Sequence, residues 1–134
     1  MLTWLCIFFG AGLGGVLRFA LAGAAQRFAG PAPVLDGSAV AFPVGTLAVN
    51  VSGCLAIGVL AASSASWLER EEFRLGLIVG VLGGYTTFSA FALESLRLAE
   101  TGQWGKAALY VVLSNALSLA ACGAGMAITR WLTR

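Results

Sequence analysis

Four long apolar runs, separated by short polar stretches, make up most of the 134-residue sequence. A helix that spans a bilayer needs roughly 20 mostly apolar residues, so the runs predict an all-α membrane protein with four transmembrane helices. We expect a single domain over residues 1–134, with helices at about 2–25, 44–62, 75–98 and 106–129. Charged residues are 10% of the chain, against about 25% in soluble domains, so lipid is the expected solvent. The breakers in the first long loop are Pro31, Pro33, Asp36 and Pro43.

The composition excludes several classes of function. The chain has no histidine, which removes the commonest general base and transition-metal ligand, and we expect no enzyme. Cys6, Cys54 and Cys122 lie in apolar runs without a CxxC spacing and are interpreted as packing residues. A net charge of +2 gives no reason to expect nucleic acid as a partner. The first run lacks a preceding basic segment, so we expect a retained helix and not a cleaved signal peptide.

The basic residues are divided evenly between the two sides of the predicted helices. One side has Arg70, Arg74, Arg130 and Arg134, and the other has Arg18, Arg27, Arg97 and Lys106. An excess of positive charge on one side normally fixes orientation. Even division therefore favours insertion in both orientations and an antiparallel homodimer, with a single orientation set by other features as the alternative.

The motif GGYTTFSAF at Gly83–Phe91 lies inside the third apolar run. Glycine costs about 1 kcal/mol relative to alanine in a helix, and threonine hydroxyls compete for backbone carbonyls. The motif therefore predicts a break in helix 3 near mid-membrane. Backbone groups freed in lipid need partners from protein or a bound ion, and freed carbonyls suit a hard cation such as Na⁺. The alternative is an unbroken packing helix whose glycines, Gly76, Gly80 and Gly84, share one face.

Other polar and aromatic side chains recur along single helix faces. They are Phe88 and Phe91 in helix 3, Thr46 and Asn50 in helix 2, and Tyr110, Ser114 and Ser118 in helix 4. Ring edges carry partial positive charge, and hydroxyls and amides can replace the water around a small anion. Taken together, these positions favour an anion pathway. The alternatives are phenylalanines that face lipid or core, and hydroxyls that bond only between helices.

Two charged residues lie within the predicted helices. Glu94 suggests a function because acidic residues are rare in membrane helices, although Arg97 offers it a local ion pair. Arg18 is expected either in a vestibule that attracts anions or at the lipid headgroups. Apart from Arg18 no deep positive charge is present to trap an anion, and conduction requires binding that is weak enough for release.

Three segments resemble the Fluc (CrcB) family of fluoride channels, and the resemblance extends over nearly the whole chain. They are Gly14–Arg18 (GGVLR), Gly45–Asn50 (GTLAVN) and Gly83–Phe91 (GGYTTFSAF). The resemblance implies passive, selective fluoride efflux across the bacterial inner membrane through two pores of an antiparallel, dual-topology homodimer. It also implies a structural Na⁺ at the dimer centre, held by backbone carbonyls that by position belong to Gly83 and Thr86.

The resemblance further implies roles for individual residues. The fluoride pathway would comprise Asn50, Phe88, Phe91, Ser114, Thr46, Tyr110, Ser89 and Glu94, with Arg18 in a vestibule. Phe88 and Phe91 match the pore-lining phenylalanines, and Asn50 matches the pore asparagine. Ala90 departs from the family pattern, in which threonine is common, so one hydroxyl beside the two rings is missing.

Two other classes of function stay open alongside the fluoride channel. A proton-coupled small multidrug transporter is also a four-helix, dual-topology dimer, but that class needs a membrane-embedded carboxylate, usually in its first helix, and helix 1 has none. A structural or assembly subunit without transport activity is suggested only by the glycine faces.

Overall fold

The computed structural model describes residues 1–29, 40–63 and 70–134, and this part of the chain is helical without a strand. Four spans are long and apolar enough to cross a membrane. They are Leu2–Phe28, Val44–Ala62, Glu71–Glu100 and Trp104–Leu132. The chain is therefore an all-α, multi-pass membrane protein, as its hydropathy predicts. The predicted breakers Pro31, Pro33 and Asp36 lie outside the described residues.

The first, second and fourth spans are single helices, whereas the third is composed of several segments. The single helices are α1 (Leu2–Phe28), α2 (Val44–Ala62) and α6 (Trp104–Leu132). The third span contains α3 (Glu71–Leu75), a π-helical segment π1 (Gly76–Leu82), α4 (Gly83–Tyr85) and α5 (Phe88–Glu100). Between α4 and α5 the backbone is extended, at φ −79° and ψ 157° for Thr86 and φ −149° and ψ 117° for Thr87.

Three of the four spans extend past the ends that hydropathy predicts, whereas α2 has the predicted bounds Val44–Ala62. α1 continues through Gln26 and Arg27 to Phe28, and the Arg27 Nε donates to the Gly23 carbonyl one turn back at 3.1 Å. The third span begins at Glu71 and ends at Glu100, so it includes charged residues at both ends. Polar residues at the level of the headgroups do not oppose helix formation, so an apolar run underestimates the length of the helix around it.

Glycines bring α1 against the first half of the third span. A Cβ atom on Gly14 would lie 2.8 Å from the Tyr85 amide nitrogen and 3.0 Å from the Gly84 carbonyl carbon. A Cβ on Gly80 would lie 3.1 Å from the Gly10 Cα. The close approach predicted for the GxxxG pair Gly10 and Gly14 is thus present, and its partner is the glycine stripe of the third span.

The second half of the third span packs elsewhere, because α5 lies against α6. Their shared core contains the buried Leu98, Ala107 and Tyr110, with Phe91 packed on it. α6 also packs on α2 through Gly125 and Gly58, where a Cβ on Gly58 would lie 2.9 Å from the Cys122 carbonyl carbon. Thr86 and Thr87 therefore lie where the third span passes from α1 to α6.

Large apolar side chains cover the outside of the bundle. Among the most exposed are tryptophans near the ends of the spans, Trp4 in α1 and Trp104 and Trp131 at the two ends of α6. Tryptophan is enriched where a membrane meets water. Their positions are those expected of aromatic belts at the two faces of a bilayer.

Candidate ion pathway

Backbone carbonyls at the interruption of the third span, among them those of Gly83 and Thr86, lose their helical donors. In a continuous α-helix the Thr87 amide would donate to the Gly83 carbonyl, and the Ala90 amide to the Thr86 carbonyl. Here the Thr87 N–H donates to Asn50 Oδ1 at 2.8 Å, and the Ala90 N–H donates to Thr87 Oγ1 at 3.2 Å. The carbonyls of Gly83 and Thr86, which the family resemblance assigns to Na⁺, are thus among those that the interruption releases.

Asn50 holds the interruption from α2 with both ends of its amide. Its Oδ1 accepts from the Thr87 N–H, and its Nδ2 donates to the Thr87 carbonyl at 3.0 Å. On the opposite side, Arg18 Nη1 of α1 lies 3.5 Å from the Thr86 carbonyl oxygen. Side chains from two other spans therefore bond the Thr86 carbonyl and both polar groups of the Thr87 backbone.

Four aromatic rings form a row that leads from the surface into the core. Phe88 and Phe91 have centroids 5.4 Å apart, and Phe91 lies 5.4 Å from Tyr110. Tyr110 in turn meets Phe42 edge to face, at 5.5 Å and 80°. The row begins at an exposed ring, since Phe88 is 78% exposed, and reaches the fully buried Tyr110.

Phe42 is a member of this row that sequence reasoning missed. It precedes α2 in a short segment without helical periodicity, so no spacing pattern connects it with Phe88 and Phe91. Gln26 of α1 anchors this segment, because its Nε2 donates to the Phe42 carbonyl at 3.2 Å and its Oε1 accepts from the Gly45 amide at 3.1 Å.

The Glu94 carboxylate lies among hydroxyls from two other spans. Thr46 of α2 donates to Oε1 at 2.8 Å, and Tyr110 of α6 donates to Oε2 at 2.7 Å. In the described part of the chain, both carboxylate oxygens are thus engaged by hydroxyls and not by Arg97. The ion pair that sequence offered as an alternative is absent there.

A groove of about 400 Å³, which we call groove 1, opens beside the interruption. Among its lining residues are Asn50, Gly83, Thr86, Phe88, Phe91 and Ser114, together with Ser118 and Asn115. The Ser114 side chain is only 6% exposed, and its hydroxyl has no hydrogen-bond partner in the part of the chain that the structure describes. A residue that lines groove 1 thus has a buried hydroxyl without a hydrogen-bond partner among the described residues.

A second groove of about 570 Å³, groove 2, lies on the α1 side of the interruption. It is lined by Arg18, Thr46, Ser89 and Ala90, and by Thr87, which also lines groove 1. The candidate residues thus divide between two spaces, while Glu94 and Tyr110 line neither of them. Arg18 contacts the backbone of the interruption, as described above, and is only partly buried there.

The comparison with known families agrees with these motifs. Residues 5–126 match the family described as "CrcB-like protein, Camphor Resistance (CrcB)". The chain belongs to the CrcB family. Family membership confirms the resemblance drawn from GTLAVN and GGYTTFSAF.

Several CrcB relatives are similar to the chain over nearly its full length. Each of the following bears the name "Fluoride-specific ion channel FluC". The protein of Methylobacterium nodulans is 42% identical, over 97% of this chain and 98% of its own. Those of Rhizobium johnstonii and Rhizobium etli are 43% and 44% identical, each over 98% of this chain and 99% of its own.

Proposed function

We propose that this CrcB chain is a fluoride-selective channel through which fluoride leaves the cytoplasm passively across the bacterial inner membrane. The names of its full-length relatives support fluoride as the ion. A channel of this kind is a transporter and not an enzyme. Passive efflux is useful because HF crosses membranes as a neutral acid and releases fluoride inside the cell.

The unpartnered Ser114 hydroxyl carries this proposal. A buried polar group without a partner costs about 1–3 kcal/mol, and in a membrane protein the missing partner has to come from protein, water or an ion. A hydroxyl can donate to an anion, and groove 1 adds the Asn50 amide and the rings of Phe88 and Phe91. Hydroxyl, amide and ring edges together suit a small anion.

The absence of charged side chains from the described lining of groove 1 supports conduction rather than tight binding. Its described lining contains no acidic or basic side chain. Fluoride could therefore exchange its water for weak donors and leave again, as conduction requires. We place Thr46, Tyr110, Ser89 and Glu94 on the part of the route that only the assembled dimer would complete, because none of them lines groove 1. There the carboxylate orients the Thr46 and Tyr110 hydroxyls that donate to it.

A structural Na⁺ held by Gly83 and Thr86 is part of the proposal. Among the described residues no group of three or more His, Cys, Asp or Glu side chains could hold a metal, so carbonyl oxygens are the available ligands. The carbonyls of Gly83 and Thr86 have lost their helical donors, and both residues line groove 1. Carbonyl oxygens are suitable ligands for a hard cation. A bound cation would offset the partial negative charge of these oxygens within the membrane.

We further infer that two copies assemble as an antiparallel homodimer of dual topology. Thr86 is residue 16 of the 30-residue span Glu71–Glu100, so the interruption falls near mid-membrane. Freed backbone groups and the polar lining of groove 1 would face lipid in a monomer, which is unfavourable. A second copy would cover them, and the even division of basic residues permits opposite insertion.

Fluoride efflux from liposomes, followed with a fluoride electrode, tests the channel. We expect rapid fluoride loss without a proton gradient and no chloride loss. Phe88→Ile and Phe91→Ile should each lower the flux at least tenfold, whereas Phe8→Ile, at an exposed ring of α1 outside both grooves, should not. No fluoride flux from folded, reconstituted protein would contradict the proposed function.

Two further measurements test the assembly. Replacing Na⁺ on both sides of the membrane should lower fluoride flux or dissociate the dimer, and indifference to the replacement would exclude the sodium assignment. A reporter fused to the C-terminus should be found on both sides of the membrane in comparable amounts. Reporter signal from one side alone would exclude dual topology.

A further inference from the structure

We propose that Tyr85 is a positioning residue, whose hydroxyl binds Ser52 of α2 and thereby fixes the interrupted backbone that carries the Gly83 and Thr86 carbonyls. The inference rests on the proposed function, since it concerns the geometry of the proposed sodium site. It gives a role to two residues that lie outside the ion pathway.

The direction of the hydrogen bond follows from the groups around Ser52. Its Oγ lies 2.7 Å from the Tyr85 hydroxyl, and also 2.7 Å from the Ala48 carbonyl and 3.1 Å from the Val49 carbonyl. A serine has one hydroxyl proton, and carbonyls can only accept. The Ser52 proton therefore goes to its own helix, and Tyr85 donates to the Ser52 oxygen.

Gly53 allows this contact by leaving room for the tyrosine ring. A Cβ atom on Gly53 would lie 3.2 Å from Tyr85 Cδ1 and would overlap the Thr86 methyl group. With the two Asn50 bonds to Thr87, the segment Asn50–Gly53 of α2 contacts three consecutive residues of the third span. One stretch of α2 therefore supports the whole interruption.

The two anchors lie on either side of Thr86. Asn50 fixes Thr87 after it, and Ser52 fixes Tyr85 before it. Because Thr86 has an extended backbone, helical hydrogen bonds on its C-terminal side do not hold its carbonyl in place.

On its N-terminal side, Thr86 is held at the end of α4, because its N–H and its Oγ1 both donate to the Leu82 carbonyl at 2.9 Å. Arg18 contacts the Thr86 carbonyl from α1. The Tyr85 contact with Ser52 ties this end of α4 to α2, as Asn50 ties the start of α5. With both anchors, the two ends of the interruption are held by one helix, which restricts movement of the Thr86 carbonyl between them.

Amide hydrogen exchange in the full-length protein tests the contact. Tyr85→Phe removes only the hydroxyl, and Ser52→Ala removes its acceptor. We expect exchange over residues 83–91 to become about three- to twenty-fold faster in either variant, which corresponds to the roughly 0.6–1.7 kcal/mol of a hydrogen bond between membrane helices. The double variant should exchange no faster than the faster single one. Ser95→Ala is the control, because the Ser95 hydroxyl bonds the Phe91 carbonyl of its own helix, at 2.7 Å. In this variant, amide exchange over residues 83–87 should stay at the parental rate.

Fluoride flux at varied Na⁺ concentration separates positioning from stability. Tyr85→Phe should need about three- to twenty-fold more Na⁺ for half-maximal flux and recover at high Na⁺, with a thermal unfolding midpoint like that of Ser95→Ala. Unchanged exchange in both single variants, or additive effects in the double variant, would overturn the inference. Fluoride flux through the parent protein would in that case still support the channel proposal. If fluoride flux through the parent protein does not depend on Na⁺ concentration, the sodium assignment is wrong. The exchange data would still decide whether Ser52 anchors Tyr85.

Discussion

The contact between α1 and the interruption can be tested by adding one carbon atom at Gly14. A Cβ there would overlap the Val81 carbonyl and would lie 2.8 Å from the Tyr85 nitrogen and 3.0 Å from the Gly84 carbonyl carbon. All three are backbone atoms, which cannot rotate away as a side chain can. Gly14→Ala therefore forces α1 and the third span apart.

Gly12 provides a matched control on the same helix. A Cβ on Gly12 would meet nothing within 4 Å. Both variants gain the same preference of alanine over glycine in a helix, about 1 kcal/mol, so this contribution cancels in their difference. What is left is the overpacking at Gly14, for which about 1–3 kcal/mol is expected. Gly14→Ala should be less stable than Gly12→Ala by that amount.

Unfolding of both variants in the same detergent measures this difference, and fluoride efflux measures its consequence. Because the displaced atoms belong to Gly84 and Tyr85, next to the interruption, Gly14→Ala should also lose most of its flux, whereas Gly12→Ala should keep it. Equal stability and equal flux in the two variants would refute the packing described between α1 and the third span.

Three more substitutions address the remaining contacts. Asn50→Ala leaves the Thr87 N–H and C=O without their side-chain partner. We therefore expect the variant to be about 1–3 kcal/mol less stable and its fluoride flux to be at least tenfold lower. Parental stability and parental flux would contradict the Asn50 anchor. Gly58→Ala places a Cβ 2.9 Å from the Cys122 carbonyl carbon and should lower the unfolding midpoint, whereas Gly123→Ala, with nothing within 4 Å, should not. Thr46→Val removes a donor to Glu94 and should lower flux several-fold, and flux equal to the parent would exclude that hydroxyl from the pathway.

Hydropathy predicts the four spans because the cost of exposing polar groups to lipid applies to every residue of a span. It does not predict π1, since nothing in GLIVGVL distinguishes a π-helical turn from an α-helical one. The glycines that bring α1 close were visible in the sequence as a spacing of four. Which helix they would meet was not visible, because spacing along one helix describes a face and not its neighbour.

Glu94 likewise shows that sequence spacing does not reveal contacts between different spans. Sequence spacing suggested only Arg97 as a partner, since positions three apart on one helix are neighbours. Its observed partners, Thr46 and Tyr110, come from α2 and α6 and depend on how the spans cross. Phe42 was missed for a similar reason, because it meets Tyr110 from a segment without periodicity.

The division of polar residues between two grooves bears directly on the proposed dimer. Phe88 and Ser89 are adjacent in α5, but about 100° apart around a helix, and they line groove 1 and groove 2 respectively. Thr87 lines both grooves, and the backbone around it, held by Asn50, separates them. Within one chain the candidate residues therefore do not line a single continuous space. A conduit that uses all of them requires either movement of this backbone or lining residues from a second copy. Since Asn50 bonds both polar groups of the Thr87 backbone, movement would break two hydrogen bonds, and a second copy is the less costly solution.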